Sequence, residues 1–397
     1  MKKVLISSFD MEVGGVERSL ISMLNNFDYK NYDVDLMLYS HSGDFMNLLT
    51  NKVKLLPEID KLATFRKGIG QVIKEGKISI GISRLLAKIN GDIRAKLNKS
   101  DIESVIQMQL MWKYSLAFLP NVEEKYDVAI SYLWPHYYIA DKVKAKKKIA
   151  WIHTDYSTIE TDIKEDLKIW NKFDYIMAVS EECKNAFLKK YPTLEQKLRV
   201  MENITSPEFI KKMAEEDISD EIERDNTFNI VSVGRLSHAK GIDNAVRALK
   251  LIHDRGLKQI RWYVVGYGGD EEMIRGLIKE NNLEASFILL GKRTNPYPYV
   301  KACDLYVQPS RYEGKAVTVT EAQILGKPVM ITNYTTAKSQ VKDKVNGYIS
   351  ELSIKGIADG VEKLINNKKL RETLSNSCSN ENFNNYQQLN SLYELLG

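Results

Sequence analysis

Short apolar runs alternate with amphipathic stretches along the whole chain. The apolar runs of the first half are KVLISSF, YDVDLMLYS, YDVAISYL, KKIAWIHT and FDYIMAVS, and those of the second half are FNIVSVG, IRWYVVG, ASFILLG, CDLYVQPS and KPVMITN. Runs that are apolar at nearly every position, with helical patterns or loops between them, are typical of parallel strands buried on both faces. The pattern therefore predicts an α/β fold built from two doubly wound domains.

A polar stretch separates the two sets of strands. Residues 206–227, SPEFIKKMAEEDISDEIERDNT, are strongly charged and are predicted to form an exposed linker, with the domain boundary near residue 220. A chain of 397 residues is too long for one ordinary core, which agrees with two domains. We predict an N-terminal domain over 1–205, a C-terminal domain over 228–380 and a closing segment over 381–397.

The composition is that of an ordinary globular protein. Hydrophobic residues make up 44% of the chain, enough for a packed core in each half. The cysteines Cys183, Cys303 and Cys378 are scattered without a CxxC pair, which favours a reducing cytoplasm and argues against disulfides and structural zinc. The first apolar run is too short for a signal peptide, and no window of about 18 apolar residues could span a membrane. We therefore expect a cytoplasmic protein.

The net charge of +5 is unevenly distributed. Residues 61–100 contain ten Lys or Arg and two acidic residues, which gives +8 for this segment and −3 for the rest of the chain. Its apolar positions predict a helix with one apolar stripe beside a basic face: Ile82, Leu85, Leu86, Ile89, Ile93 and Leu97. Such an insertion suits the surface of an anionic membrane, and the alternative is a solvated face over an ordinary core helix. No nucleic-acid partner is expected, because the segment lacks interleaved aromatics and any binding motif.

In open parallel sheets, ligands bind beyond the carboxyl ends of the strands. The stretch VSVGRLSHAKGIDNAV predicts a strand, a turn that contains Gly234 and Arg235, and a helix that begins near Lys240. A guanidinium, an ammonium and the N–H groups of a helix N-terminus together describe a phosphate site. Taken singly, each cation is better explained as an ordinary solvated loop charge.

Two further strand ends carry candidate residues. Gly14 and Gly15 lie between the first strand and a helix, where glycines let a ligand approach the backbone or simply shape the turn. His153 follows a strand in AWIHTDYS, a position where a lone histidine is more often structural than functional. The other four histidines make no metal-ligand spacing with it, so no metal site is predicted.

Two other patterns are less informative by themselves. The stretch YVVGYGGDEEM has Glu271 where a dinucleotide-binding fingerprint needs its third glycine, so an NAD-dependent oxidoreductase is disfavoured. In RYEGKAVTVTEAQILGKPVM, Glu313 and Glu321 lie eight positions apart around AVTVT, whose alternation predicts a strand. The pattern alone does not show what two carboxylates at this spacing would hold.

Four stretches together resemble glycosyltransferase family 4: GGVERSL (14–20), GRLSHAKG (234–241), GKRTNPYPYVKACDLYVQPSRYEG (291–314) and the segment after it that ends in TEAQILGKPVMITN. The likeness covers nearly the whole chain and is densest from 230 to 350. It points particularly to transferases of bacterial capsule, exopolysaccharide or teichoic-acid assembly. The resemblance implies a GT-B fold, in which two doubly wound Rossmann-like domains face each other across a cleft. It also implies a closing helix within 381–397 that returns to the first domain.

The resemblance assigns roles to the two glutamates. It implies that Glu313 lies in the loop before a helix and Glu321 inside that helix, which overrules the strand predicted by alternation. Glu321 would then accept hydrogen bonds from both ribose hydroxyls, and Glu313 would accept them from the donor sugar. Backbone N–H groups at the start of the helix would face the diphosphate: Gly314, Lys315, Ala316, Val317 and Thr318.

Further matches complete the implied site. Arg235 and Lys240, next to Gly234, correspond to the cations that bind the diphosphate, and His153 corresponds to a histidine that contacts the donor sugar. The remaining implied positions are Gly14 and Gly15 near the diphosphate, Gly266 and Gly268 near the base, and Arg293, which contributes mainly backbone. The implied catalytic set is Arg235, Lys240, Glu313 and His153.

The implied reaction is the retaining transfer of a sugar from a UDP- or GDP-sugar to a glycan or polyprenyl-linked acceptor, in the synthesis of bacterial surface polysaccharides. The acceptor attacks the face that the nucleotide leaves, and the departing phosphate takes its proton. Two cations then make a metal or another cofactor unnecessary, and a lipid-linked acceptor places the protein at the inner face of the membrane. GKA after Glu313 departs from the family's usual pattern, so the sugar preference stays open. Alternatives are a sugar-nucleotide epimerase or hydrolase and a non-catalytic sugar-nucleotide-binding module.

Overall fold

The computed structural model describes residues 1–97, 103–222 and 226–397. The chain divides into two compact units, each with its own parallel sheet. The first unit comprises Met1–Glu12, Val16–Ile204 and Tyr386–Gly397, and the second comprises Val13–Gly15 and Thr205–Asn385. The predicted α/β class with two doubly wound domains is confirmed.

The sheet of the first unit is parallel throughout the described residues. The strands in this part of the chain are β1 (Lys2–Ser8), β2 (Tyr32–Leu38), β3 (Lys54–Leu55), β4 (Glu103–Ser104), β5 (Lys125–Ser131), β6 (Lys144–Ile152), β7 (Ile159–Glu160), β8 (Tyr175–Ala178) and β9 (Leu198–Val200). The main sheet has the order β3-β2-β1-β5-β6-β8-β9, and β4 pairs with β7 separately. The strands are apolar at nearly every position because helices and loops cover both faces: in β1, Val4, Leu5 and Ile6 are fully buried.

Helices follow most of these strands. They are α1 (Gly15–Asn25), α2 (Ile69–Lys74), α3 (Ile78–Leu97), α4 (Ile106–Ser115), α5 (Tyr137–Lys142), α6 (Ile163–Trp170) and α7 (Glu181–Lys190). The predicted insertion over 61–100 thus contains α2 and α3, while its last residues, 98–100, lie outside the described part, as does the side chain of Leu97. In the described residues no helix is both long and apolar enough to cross a bilayer.

The second unit repeats the same architecture. Its elements are α8 (Pro207–Met213), β10 (Phe228–Val233), α9 (Ile242–Asp254), β11 (Ile260–Val265), α10 (Glu271–Glu280), β12 (Phe287–Gly291), α11 (Tyr297–Ala302), β13 (Leu305–Gln308), α12 (Val317–Ile324), β14 (Val329–Thr332), α13 (Ala337–Gln340), β15 (Tyr348–Ser350), α14 (Ile354–Asn366) and α15 (Lys368–Asn380). The parallel strands have the order β12-β11-β10-β13-β14-β15. The direction of the chain across the sheet therefore reverses between β10 and β13, which is where sheets of this type bind ligands.

The segment predicted as an exposed linker, 206–227, packs on the second unit where it is described, and its residues 223–225 lie outside the described part. The described charged residues are exposed as expected, but Ile210, Ile218 and Ile222 are buried. Ile210 lies in α8 and packs with Tyr297 of α11, while the other two isoleucines join the core of the second unit. The prediction of a free linker is wrong because apolar residues spaced four or eight apart give this polar segment one side that can be buried. In this part of the chain the boundary between the units lies between Ile204 and Thr205, not near residue 220 as predicted.

The last helix, α16 (Gln388–Leu396), belongs to the first unit. Leu389, Leu392 and Leu396 form its buried face. Tyr393 stacks on Tyr32, with ring centroids 5.3 Å apart, and its hydroxyl accepts a hydrogen bond of 2.8 Å from a backbone N–H. The chain therefore leaves the second unit after Asn385 and completes the core of the first.

Candidate active site

The candidate residues of the second unit lie at the carboxyl ends of β10 and β13. Gly234 and Arg235 directly follow β10, and Gln308 ends β13 and leads into the loop that carries Glu313. These two strands are neighbours in the sheet and flank the point where the strand order reverses. A ligand in the crevice at this edge would meet both loops.

Glu313 and Lys240 form an ion pair at this edge. The Nζ atom of Lys240 lies 2.6 Å from Oε1 of Glu313 and 2.8 Å from Oε2. The carboxylate also accepts hydrogen bonds from the Ser310 hydroxyl, at 2.6 Å, and from the Gln308 amide, at 3.1 Å. The Glu313 side chain is only 9% exposed, whereas that of Lys240 is 25% exposed. Charge-assisted hydrogen bonds are the stronger kind, so the carboxylate fixes a partly accessible ammonium at the strand ends.

Gln308 joins this pair to the core of the unit. Its side-chain carbonyl accepts hydrogen bonds from the hydroxyl of Tyr306, at 2.6 Å, and from that of Thr318, at 3.2 Å. Burial raises the pKa of Tyr306, so its hydroxyl keeps its proton and remains a donor. The backbone carbonyl of Glu313 is held in turn by the hydroxyl of Thr336, at 2.9 Å. The position of the Glu313 carboxylate is therefore determined by buried neighbours.

A glycine brings the turn before α9 against the loop after β13. Gly241 has a φ of 63°, and a Cβ atom on it would lie 2.2 Å from the carbonyl oxygen of Pro309. Only glycine fits both the left-handed backbone and this close approach. Lys240 is the preceding residue and ends a short 3₁₀ turn that begins at His238. The contact thereby places the ammonium beside Glu313.

A second ion pair locks the same two segments together. The guanidinium of Arg311 donates to both carboxylate oxygens of Asp243 at 2.8 Å, and to the carbonyl oxygen of His238 at 2.7 Å. Burial alone would raise the pKa of Asp243, but hydrogen bonds from Arg311 and Arg247 outweigh it and lower that pKa to about 2. The pair therefore stays ionised at physiological pH and holds the start of α9 in place.

Gly266 and Gly268 let the loops after β10 and β11 touch. A Cβ atom on Gly266 would lie 1.8 Å from the carbonyl oxygen of Gly234, and one on Gly268 would lie 2.2 Å from that of Leu236. These glycines are thus required by packing between the two loops, whatever ligand the loops meet. Their predicted place near the base of a nucleotide stays a prediction.

Helix α12 carries Glu321, as the resemblance implied. The strand predicted from the alternation of AVTVT is wrong: Val319 and Ala322 are fully buried on one side of a helix. β-Branched residues prefer strands only weakly, and packing overrides that preference. Glu321 is 3% exposed, and its Oε1 atom accepts a hydrogen bond of 2.9 Å from the hydroxyl of Tyr297.

The resemblance implies that the backbone N–H groups from Gly314 to Thr318 face a diphosphate, and the structure differs from this at Ala316. The N–H group of Ala316 donates to the side-chain carbonyl of Gln340 at 3.2 Å, so this amide is engaged within the protein. Ala316 is moreover buried, and so is Gly314. The first N–H groups of the helix, at Val317 and Thr318, have no acceptor within the helix and suit an anion better.

Two predicted arginines have different surroundings. Arg235 is exposed at the carboxyl end of β10, where its guanidinium is accessible to a ligand. Arg293 donates to Glu221 at 2.6 Å and to the hydroxyl of Tyr299 at 2.9 Å. The Arg293 side chain thus connects the segment after α8 to α11, which agrees with a mainly backbone contribution to the site.

The remaining predicted residues lie at the carboxyl edge of the first sheet. Gly14 lies between β1 and α1, and Gly15 is the first residue of α1. The turn Val13–Gly15 belongs to the second unit, unlike the elements on either side of it. His153 follows β6, and its Nε2 atom donates to the carbonyl oxygen of Tyr132 at 2.9 Å. Burial lowers the pKa of His153 to about 4, so the ring is neutral at pH 7 and Nδ1 is an acceptor. In the described residues no group donates to Nδ1.

Several residues of the site were not predicted from the sequence. They all lie in the stretches that carry the resemblance: Gly241, Tyr297, Gln308, Ser310 and Arg311. One signal was available, because Gln308 is a polar residue in the otherwise apolar run CDLYVQ, and buried polar groups need partners. No group of three or more His, Cys, Asp or Glu that could hold a metal ion occurs in the described residues. Metal independence stays a prediction.

Comparison with known proteins shows what the chain is similar to. Residues 213–380 match the family model described as glycosyl transferases group 1. The chain is 29% identical over 219 residues to the capsular polysaccharide biosynthesis glycosyltransferase CapM of Staphylococcus aureus, covering 51% of this chain and 55% of CapM. It is 26% identical over 212 residues to a Campylobacter jejuni transferase, N-acetylgalactosamine-N,N'-diacetylbacillosaminyl-diphospho-undecaprenol 4-alpha-N-acetylgalactosaminyltransferase, covering 53% of this chain and 56% of that one.

The fold also matches solved structures. HepE from Anabaena, in complex with UDP and glucose, superposes with a TM-score of 0.71 and 17% identity, covering 100% of this chain and 99% of HepE. At this identity the likeness is one of fold, and it confirms the predicted GT-B class of two Rossmann-like domains. The chain spans about half the length of the two relatives named above.

Proposed function

We propose that the protein is a retaining glycosyltransferase, which the match of residues 213–380 to the glycosyl transferases of group 1 supports. In this proposal it moves a sugar from a nucleoside diphosphate sugar to a glycan or a lipid-linked acceptor. Relatives such as CapM act in capsular polysaccharide biosynthesis, which supports a role in bacterial surface polysaccharides.

One observation carries the proposal: an ammonium and a carboxylate are fixed together at the reversal point of the second sheet. Lys240 is held by Glu313, and Glu313 is held by Ser310 and Gln308. An ion pair with a purely structural role would not need to lie at the accessible carboxyl edge of the sheet, beside the exposed Arg235. The arrangement therefore suits a ligand that carries both phosphate and hydroxyl groups.

The two cations and α12 would act on the diphosphate. Breaking the bond between sugar and nucleotide leaves extra negative charge on the phosphate, and Arg235, Lys240 and the N-terminus of α12 would neutralise it. One such preorganised donor contributes roughly 10² to 10³ in rate. With two cations in this role a divalent metal ion is unnecessary, so the proposed reaction needs neither a metal nor another cofactor.

The two glutamates and His153 would hold the sugars. Glu321 lies on α12, where it would accept hydrogen bonds from the ribose hydroxyls, with Tyr297 orienting its carboxylate. Glu313 would accept hydrogen bonds from hydroxyls of the donor sugar. His153 contributes a neutral acceptor, Nδ1, which suits a hydroxyl donor and not a phosphate.

For the donor we favour a uridine diphosphate sugar over a guanosine one, because HepE was solved with UDP and glucose. For the acceptor we favour a polyprenyl-linked sugar, because the Campylobacter jejuni relative is named for an undecaprenol-linked substrate. Such an acceptor lies in the cytoplasmic leaflet, so the protein would work in the cytoplasm at the inner face of the membrane. Retention follows from attack on the face that the nucleotide leaves, with the departing phosphate taking the proton.

A thermal-shift panel of nucleotide sugars, measured with EDTA present, tests the proposal. A ligand at about 100 times its Kd stabilises a protein by about 2.7 kcal/mol, so a cognate donor should clearly raise the Tm. We expect Arg235→Ala and Lys240→Ala each to remove this shift and to lower the transfer rate at least about tenfold. The matched control is Lys279→Ala, which removes an exposed lysine at the far end of α10.

Each outcome of this panel is informative. Wild-type-like shifts and rates in Arg235→Ala and Lys240→Ala would contradict the assigned phosphate site. Release of free sugar at the rate of donor consumption, without acceptor, would show a hydrolase on this fold and not a transferase. A shift that appears only when EDTA is left out would contradict metal-independent binding.

A further inference from the structure

Helix α3 exposes large apolar side chains. Its residues at every third or fourth position are each between 45% and 56% exposed: Ile78, Ile82, Leu85, Leu86, Ile89 and Ile93. Residues at this spacing lie on one face of a helix, and we refer to these six residues as the α3 stripe. Large exposed apolar patches on a protein surface mark places where another surface binds.

The opposite face of α3 fixes the stripe in this outward position. Arg84 is buried, and its guanidinium donates to the carbonyl oxygens of Thr64, at 2.7 Å, and Lys67, at 2.8 Å. Ser83 shares a hydrogen bond of 2.8 Å with Ser115 at the end of α4. Turning the stripe inward would break these contacts, so the six residues point outward in this structure.

The stripe continues onto α2. Ile73 is 40% exposed, and a Cβ atom on Gly81 would lie 2.4 Å from the Ile73 side chain, so the two helices touch beside Leu85. The apolar surface is therefore wider than one helix at this end. The apolar surface forms a ridge, because one face of the 20-residue helix α3 points outward.

Several basic residues around the stripe are engaged within the protein. Arg84 is turned inward, Lys67 pairs with Glu75 and Lys77 pairs with Asp60. Lys74 and Lys88 are exposed on α2 and α3. Among the side chains that the structure describes, the charge near the stripe is thus modest and positive, and a contact through these charges alone would be weak.

We propose that the α3 stripe inserts into the headgroup region of an anionic lipid bilayer, with Lys74 and Lys88 beside lipid phosphates. An apolar ridge with lysines at its flanks suits this environment, because the apolar side chains leave water while the ammonium groups reach the lipid charges. A second copy of the chain is a poorer partner, since it would bring like-charged lysines together. The inference deepens the proposed function, as it brings the transferase to a lipid-linked acceptor.

Insertion of the apolar stripe and electrostatic adsorption of the lysines predict different effects of salt on vesicle binding. An inserted apolar ridge stays bound when salt screens the lysines, whereas an adsorbed basic surface is released. We therefore expect flotation with vesicles of equal parts phosphatidylglycerol and phosphatidylcholine to persist in part at about 1 M salt. Vesicles of phosphatidylcholine alone should bind less protein, because they lack the anionic charge.

The decisive variant replaces Ile82, Leu86 and Ile89 by Gln together. These residues are half exposed, so the fold should tolerate the change, and we expect vesicle binding to fall at least tenfold. The matched control replaces three exposed apolar residues of the second unit by Gln, namely Met273, Val345 and Leu352, and should bind vesicles like wild type. The nucleotide-sugar shift, measured on both variants without lipid, reports the donor site separately from membrane binding.

Three results would overturn the proposal. Wild-type protein that stays unbound with anionic vesicles has no such surface, and an unimpaired stripe variant shows that the surface lies elsewhere. The third is self-association of the wild type without lipid in sedimentation velocity, abolished in the stripe variant. That result would show that the stripe is covered by a second copy of the chain.

Discussion

At the scale of single residues, Lys240 and Glu313 are the pair on which the site depends. Glu313 places the ammonium of Lys240, and it is placed in turn by Ser310 and Gln308. A diphosphate carries more negative charge than one carboxylate, so a bound donor would draw the ammonium towards phosphate. Glu313 would then be left to the sugar. Its two roles can be separated experimentally.

We expect Glu313→Gln to affect transfer more than nucleotide binding. The amide keeps the shape of the side chain but removes the charge that competes with phosphate for Lys240, so affinity for UDP should stay equal or rise. The transfer rate should fall at least about tenfold, because the contact to the donor sugar loses its charge. Titration calorimetry gives the Kd and initial rates give kcat and KM. Glu280→Gln, at the exposed end of α10, is the control, and equal losses of affinity and rate would contradict this division of roles.

His153 should make the protein sensitive to acid. Burial lowers its pKa to about 4, below the value of about 6.5 in an unfolded chain. Between about pH 6.5 and pH 4 the unfolded state therefore binds a proton that the folded state does not bind. The free energy of unfolding is unaffected by this proton above about pH 6.5, and it falls as the pH drops towards 4. We expect His153→Gln to flatten the fall of Tm across this range in calorimetry. His238→Gln, at an exposed position, should leave it unchanged, and an equal slope in wild type and His153→Gln would argue against the assignment.

At the scale of elements, the site depends on how closely α9 approaches the loop after β13. We expect Gly241→Ala to cost at least about 1 kcal/mol of stability, because alanine is strained at positive φ and would meet the Pro309 carbonyl. Nucleotide affinity should fall as well, since Lys240 shifts with the turn. Chemical denaturation and UDP titration measure the two effects. Gly276→Ala, in the middle of α10 with nothing within 4 Å, should be neutral or stabilising, and equal behaviour of the two variants would refute the close approach.

The hydrophobic pattern predicted the elements correctly where both faces of a strand are buried. The buried strands appear as continuous apolar runs, so both sheets and the place of Arg235 at a strand end could be predicted. Pattern failed where only one side of a segment is buried. AVTVT alternates like a strand but forms part of α12, and residues 206–227 look like a linker because charged positions outnumber the isoleucines that pack. In both cases the decision is made by tertiary contacts that local sequence does not contain.

The α3 stripe shows a related limit. Spacing predicted one apolar face, but it could not show whether that face points to the core or to the outside. The side is decided by Arg84 and Ser83, which find partners in a turn and in α4. Hydrogen-bond partners between distant segments likewise explain why Ser310 and Tyr297 were missed: each matters through one contact to a glutamate.

At the scale of the whole molecule, two units of similar topology carry different sets of candidate residues. The second unit carries the accessible cations and both glutamates at the reversal point of its sheet. The first unit carries His153 and the α3 stripe, and it is completed by α16 from the end of the chain. The sequence resemblance predicted this division broadly, because its motifs lie in separate halves. It could not give the contacts that hold each side chain.

The most direct test of the proposed site is a crystal structure of the protein with a nucleoside diphosphate bound, UDP first. We expect phosphate oxygens within hydrogen-bonding distance of Arg235 and Lys240, and ribose hydroxyls on the carboxylate of Glu321. We also expect the ammonium of Lys240 to move from Glu313 towards phosphate. A nucleotide bound away from the carboxyl ends of β10 and β13, or one that leaves both cations untouched, would contradict the central claim.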